Sequence, residues 1–151
     1  QIIIAGAPTL SADFYQEFNS DLKIIHNETY ELLSNSDLAI VTSGTATLET
    51  ALYKVPQVVC YKSSRVSYSI AKRLIKVKYI SLVNLIMDKE VVKELIQAEC
   101  NAKSIRNEID LIRENSEYRN TLLNNYNELE KMLGGGGASE KVAQSLLNMI
   151  D

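Results

Sequence analysis

The segment Asp37-Leu38-Ala39-Ile40-Val41-Thr42-Ser43-Gly44-Thr45-Ala46-Thr47-Leu48-Glu49 places a glycine and several hydroxyl residues between an apolar run and a helix-forming stretch. Residues of these types in this order suit anion recognition. Gly44 lets the backbone approach a phosphate closely, Ser43, Thr45 and Thr47 add hydroxyl donors, and the amides that open a helix favour negative charge. The turn is neither a Walker loop nor the GxGxxG fingerprint, so plain helix capping stands beside phosphate binding as a use for the same residues. Glu49 has no Ser or Thr three residues before it, which removes the capping-box explanation and leaves a favourable place near the helix dipole as its structural role. A carboxylate one turn inside such a helix can also accept hydrogen bonds from two ribose hydroxyls.

A second polar constellation runs from Tyr79 to Gln97. Here Asn84 is expected at the end of a strand over Tyr79 to Leu82, where its amide can orient a sugar or pyrophosphate or simply form a turn. Glu90 opens an expected helix over Glu90 to Gln97, and Glu94 and Gln97 read as exposed positions on it. The single histidine, His26, follows an apolar run with no second ligand at metal spacing, so a strand-end role is expected. Cys60 and Cys100 form neither a CxxC pair nor a disulfide framework, no serine or cysteine triad is visible, and no metal cluster is. A reducing cytoplasm is the compartment this usage implies.

To hold these residues at one edge, the chain needs parallel strands with helices between them. Strand-length apolar runs at Ile2 to Ala5, Leu22 to Ile25, Asp37 to Val41 and Val58 to Tyr61 alternate with helical stretches, among them Ser11 to Phe18, Glu28 to Leu33 and Val66 to Val77. The class is α/β, with a Rossmann-like parallel sheet flanked by helices. In such a sheet the turn after a strand lies at the carboxyl edge, where ligands bind. From Glu90 onward only helices are expected: Glu90 to Gln97, Ala102 to Arg113, Glu117 to Leu133 and Ser139 to Ile150. The run Gly134 to Gly137 is either a flexible linker or a helix stop and restart. The organisation expected is a partial Rossmann-like domain over residues 1–100 and a helical carboxy-terminal extension over 101–151 that packs on it or on a partner.

At 46% hydrophobic and 23% charged, the chain can bury a core and is not a disordered segment. It opens on Gln1-Ile2-Ile3-Ile4 without an initiator Met, as if inside a strand, and is read as part of a longer protein; no stretch reaches membrane-spanning length and no export leader is expected. The net charge of −3 conceals a basic segment. Lys54, Lys62, Arg65, Lys72, Arg73, Lys76 and Lys78 fall between Thr50 and Met87, where no Asp or Glu occurs, so this stretch is either an anion-attracting surface or a solvated helix face.

Ser43-Gly44-Thr45-Ala46-Thr47-Leu48-Glu49, followed in order by Val55-Pro56, Tyr61-Lys62, Ala71-Lys72-Arg73-Leu74 and the Tyr79 to Gln97 block, resembles the lipid-A-disaccharide synthases over about Ile2 to Cys100. One departure is Val83, where the family block has proline. The resemblance implies half of a glycosyltransferase-B fold and an inverting, metal-independent transfer with no cofactor. The donor would be UDP-2,3-diacylglucosamine and the acceptor 2,3-diacylglucosamine 1-phosphate, giving lipid A disaccharide and UDP. It assigns Asn84 to activity, and Ser43, Gly44, Thr45, Thr47, Glu49, Tyr61 and Glu90 to the UDP-sugar. The family's preceding strand, its Gly-Ser-Arg phosphate loop and its amino-terminal acceptor domain, which carries the general base, lie outside these residues, so the fragment alone is expected to be inactive. An anionic membrane, the amino-terminal domain and a second copy are the expected partners, nucleic acid is not, and the place implied is the inner face of the cytoplasmic membrane. Another UDP-sugar glycosyltransferase or epimerase, or a non-catalytic nucleotide- or partner-binding module, are the rival readings.

Overall fold

The computed structural model describes residues 1–18, 21–64, 78–134 and 137–149. Its five strands are all parallel, as the alternating apolar runs require, but they form two sheets. β1 (Ile3–Gly6) pairs with β2 (Lys23–His26), while β3 (Ala39–Thr42), β4 (Gln57–Tyr61) and β5 (Lys93–Ile96) lie in the order β3-β4-β5. Between them run α1 (Ala12–Gln16), α2 (Thr29–Ser34), α3 (Thr45–Leu52) and α4 (Leu82–Met87), and α5 (Ala102–Glu114), α6 (Ser116–Met132) and α7 (Ala138–Leu147) follow.

The core belongs to the larger sheet. Ala51 of α3, Val59 of β4, Val83 and Met87 of α4, and Ile112, Leu122, Tyr126 and Leu129 of α5 and α6 form one apolar cluster, most of it fully buried. Burial of this kind contributes roughly 1.5–3 kcal/mol for each large side chain. By contrast α1 buries no residue and α2 only Leu33. The smaller sheet is held by a local arrangement in which the Tyr15 hydroxyl accepts from Ala7 N–H at 2.7 Å and the His26 imidazole lies directly over Gly6, where a Cβ would collide with it. His26 is thus a packed strand-end residue.

Two expected elements are exchanged. Tyr79 to Leu82 does not form a strand: residues 78–81 have no regular structure, and the apolar run that follows is helix α4. Its start is fixed by Ser81, whose hydroxyl accepts from Asn84 N–H. Conversely, the stretch expected as a helix over Glu90 to Gln97 contains β5, registered with Val58↔Lys93 and Cys60↔Leu95. Val91, Val92, Leu95 and Ile96 have helical spacing, yet four residues of two-sided apolar character also suit a buried parallel strand, and pairing with β4 decides. Val83 stands at the second position of α4, a first-turn site whose N–H has no helical partner, so a proline there would break no helical hydrogen bond.

Beyond α6 the glycine run contains a left-handed stop. Gly134 takes φ 79° after the C-cap Leu133, and Gly137 takes φ 89° as the residue before α7. The expected helix Val66 to Val77, with Arg65, Lys72, Arg73 and Lys76, lies outside the described residues.

Candidate functional site

β3 and β4 both end at the edge where Ser43, Gly44 and Tyr61 emerge. Ser43 N–H donates to the Cys60 carbonyl at 3.1 Å, carrying the ladder one step past the strand, and its hydroxyl donates to the Ile80 carbonyl at 2.9 Å. Gly44 then adopts φ 154°, ψ −162°, which side chains resist, and a Cβ at this position would meet no atom of the described residues within 4 Å. Gly44 offers no side-chain cap to α3, and the amides of Thr45 and Ala46 have no hydrogen-bond partner among the described residues. Uncapped amides at an exposed helix start form a ready anion cradle.

Thr45 and Glu49 are four residues apart and share a helix face. Thr45 is exposed and Glu49 half-buried, with a carboxylate that makes no hydrogen bond or ion pair among the described residues. Thr47 departs from expectation. It is fully buried, its hydroxyl donates to the Gly44 carbonyl at 2.7 Å, and its own carbonyl accepts from Gln57 Nε2 at 2.9 Å. This hydroxyl shapes the turn from behind and does not face the open side.

Tyr61, half-buried, ends β4 at the same edge, and its carbonyl accepts from Gln97 N–H at 2.8 Å. Gln97 has left-handed backbone (φ 52°) and clamps the next segment, its Oε1 accepting from Ser63 N–H at 2.8 Å and its Nε2 donating to the Ser63 carbonyl at 3.2 Å. Exposed Lys62 and Lys78 flank this edge, the Lys78 ammonium lying 4.9 Å over the Tyr79 ring. Lys54, in contrast, is spent on α6, with its Nζ 2.6 Å from Glu130 and 3.1 Å from the Tyr126 carbonyl.

Asn84 is not on a strand end facing the crevice. It is completely buried in α4, where Oδ1 accepts from Val91 and Val92 N–H at 2.8 and 2.9 Å and Nδ2 donates to the Val92 carbonyl and to Glu94, both at 2.9 Å. Its amide replaces a neighbouring strand for the chain entering β5. Glu94, read from the sequence as exposed, is the anchor of the block. Its carboxylate collects Ile80 N–H, Ser81 N–H, the Ser81 hydroxyl and Asn84 Nδ2. Since the Ile80 carbonyl holds Ser43, the knot of Asn84, Glu94 and Ser81 backs the Ser43 turn. Glu90 is excluded from the edge by the same exchange of elements: it precedes β5, at the amino end of the sheet, and pairs with Lys93 at 3.0 Å in solvent.

The strand period would have revealed Glu94. Read with period 2, Val92, Glu94 and Ile96 share one face and Lys93, Leu95 and Gln97 the other. No candidate residue lines either of two shallow depressions, of about 350 and 250 Å³, one containing Lys93, Glu99 and Glu108, the other Asn115 and Tyr118. Among the described residues no group of three or more His, Cys, Asp or Glu is placed to hold a metal ion.

An uncapped helix start at the carboxyl edge of a parallel α/β sheet is the arrangement that nucleotide- and phosphate-binding domains use. The particular family comes from comparison. Residues 9–145 match the family described as Lipid-A-disaccharide synthetase, and the chain belongs to it. It is 33% identical over 155 aligned positions to the lipid-A-disaccharide synthase of Trichlorobacter lovleyi, covering 100% of this chain and 40% of that protein. With that of Syntrophus aciditrophicus it shares 40% identity over 85% of this chain and 34% of the relative, and with that of Coxiella burnetii 32% over 99% and 40%. The chain thus spans about two fifths of the length of these curated relatives.

Proposed function

We propose that the chain is the donor-binding part of a glycosyltransferase that moves a diacylglucosaminyl unit from UDP-2,3-diacylglucosamine to 2,3-diacylglucosamine 1-phosphate. The observation that carries this reading is the uncapped start of α3 behind Gly44, inside a chain whose family is lipid-A-disaccharide synthetase. In the proposed mechanism the Thr45 and Ala46 amides and the Thr45 hydroxyl receive the departing diphosphate, and Glu49 accepts from the ribose. Prepositioned donors stabilise the charge that develops on the leaving group in place of a metal ion, and the acceptor hydroxyl displaces UDP in one step, which inverts the anomeric centre. The general base comes from the portion of the relatives that these residues do not span, and the fragment alone is inactive.

The test is calorimetric titration of the full-length protein with UDP, before and after Glu49→Ala and Thr45→Ala. Both substitutions should weaken binding while leaving the melting temperature in place. Unchanged UDP affinity in both variants would overturn the assignment of this edge, and activity with plain UDP-N-acetylglucosamine but not the diacylated donor would overturn the substrate.

The same reading places the enzyme peripherally on the inner face of the cytoplasmic membrane, supported by exposed Lys62 and Lys78 at the ligand edge. No helix among the described residues is long and apolar enough to cross a membrane. Each basic residue near an anionic surface contributes about 1 kcal/mol. Co-sedimentation with anionic and neutral vesicles across a salt series tests the contact: salt-sensitive binding to anionic vesicles supports it, and equal binding to both lipids removes it.

A further inference from the structure

The two cysteines, forty positions apart in sequence, meet in the fold. Cys60 is the fourth residue of β4 and pairs with Leu95 of β5. After β5 the chain turns back at once: Gln97 N–H returns to the Tyr61 carbonyl at 2.8 Å, Glu99 N–H to Ile96 at 3.0 Å and Cys100 N–H to Gln97 at 3.2 Å. This turn sets Cys100 beside the end of β4, close enough for its sulphur to act on the Cys60 thiol. Both thiols are partly exposed and neither is oxidised. Burial, and then the neighbouring sulphur, push the Cys60 thiol up to about 12, so Cys60 stays protonated near neutrality and Cys100 is the member placed to attack first.

We propose that Cys60 and Cys100 form a reversible dithiol–disulfide site, a modification site independent of the proposed transferase activity, whose oxidant is a small disulfide such as oxidised glutathione. The Cys100 thiolate attacks one sulphur of that disulfide and expels a first glutathione thiolate, leaving a mixed disulfide on Cys100. Cys60 then loses its proton as its sulphur attacks Cys100 and expels the second glutathione. Two protein thiols are oxidised, one disulfide is reduced, and the two protons end on two glutathiones. The new bond staples the end of β4 to the turn before α5, next to the Cys60 carbonyl that holds Ser43 N–H.

The test incubates dilute full-length protein with oxidised glutathione, blocks the remaining thiols and maps the peptides carrying Cys60 and Cys100. The expected result is one intramolecular bond between them, formed at least about tenfold faster in the native protein than in urea, because the fold supplies the proximity. Dithiothreitol should reverse it, and Cys60→Ser should stop the reaction at a glutathione adduct on Cys100. Separate adducts on both residues, cross-linked copies, unreacted thiols, or equal rates in urea would each overturn the proposal. The rate comparison uses the unsubstituted protein, so it stands even if a variant fails to fold.

Discussion

Two polar regions meet behind Ser43, and they use similar residues in opposite ways. In the turn from Ser43 to Glu49, among the described residues, no atom lies within 4 Å of a Cβ built on Gly44, two helix amides lack partners, and the Glu49 carboxylate is unpaired. In the block from Ser81 to Gln97 the Asn84 amide makes four hydrogen bonds in the interior and Glu94 collects two amides, a hydroxyl and the Asn84 side chain. An asparagine and a glutamate one short segment apart thus serve as scaffold, while a glutamate on the next helix remains free for a ligand. Residue type does not separate these uses; satisfaction of hydrogen-bonding capacity does.

Asn84→Ala should break that contrast most severely. It strands the Val92 amide and the Val92 carbonyl in a buried place and leaves Val91 N–H only its bond to the Lys89 carbonyl, so at about 1–3 kcal/mol for each uncompensated group a loss of about 3 kcal/mol is expected in urea denaturation. If the variant melts normally and only turnover falls, Asn84 belongs with the open region and the division drawn here fails.

The sequence made the open region legible and the closed one illegible, for a physical reason. A strand ending in Ser-Gly-Thr before a helix has local determinants: the alternation of Ala39 to Thr42, the conformation only Gly44 tolerates, and the helical spacing of Thr45 and Glu49. Tyr79 to Gln97 depends on partners far along the chain. Leu82 to Met87 is as apolar as a strand and becomes a helix because the Ser81 hydroxyl caps it, and Glu90 to Gln97 has helical spacing and yields β5 because β4 offers an edge. Reading these two elements the other way round puts Asn84 at the ligand edge and Glu94 on the surface. At Thr47 the limit is finer, since periodicity gives a helix face but not the inward bond to the Gly44 carbonyl.

Glu94→Gln sharpens the comparison by keeping the shape and removing the charge. The amide nitrogen it introduces cannot accept from Ile80 or Ser81, and the lost charge-assisted bonds should cost roughly 1–3 kcal/mol of stability. Because the Ile80 carbonyl holds the Ser43 hydroxyl, UDP affinity of the full-length protein should fall along with stability. Stability loss with unaltered affinity would show that the two regions are neighbours without coupling. Glu49→Ala has the opposite signature: UDP binding weaker by roughly 1–3 kcal/mol, with stability changed by no more than about 0.5 kcal/mol. A drop in melting temperature with intact binding would return Glu49 to the helix-dipole role.

The smallest effect tests the boundary between the regions, at Thr47. This residue lies in the open region by sequence, yet its hydroxyl is buried and bonded at 2.7 Å to the Gly44 carbonyl, so by satisfaction it belongs with the scaffold. Valine keeps nearly the same volume and removes only the donor. The Gly44 carbonyl still accepts from Thr47 N–H at 3.2 Å, so it is not orphaned, and Thr47→Val should cost about 1 kcal/mol, the net worth of one ordinary hydrogen bond. UDP affinity should stay within a factor of about two, since the cradle amides of Thr45 and Ala46 do not depend on that hydroxyl for their exposure. The experiment pairs a thermal melt with a UDP titration of the same full-length variant. A loss of affinity with no change in melting would mean that the Thr47 hydroxyl turns outward when the anion arrives, and satisfaction in the unliganded fold would then be a poor guide to which residues bind.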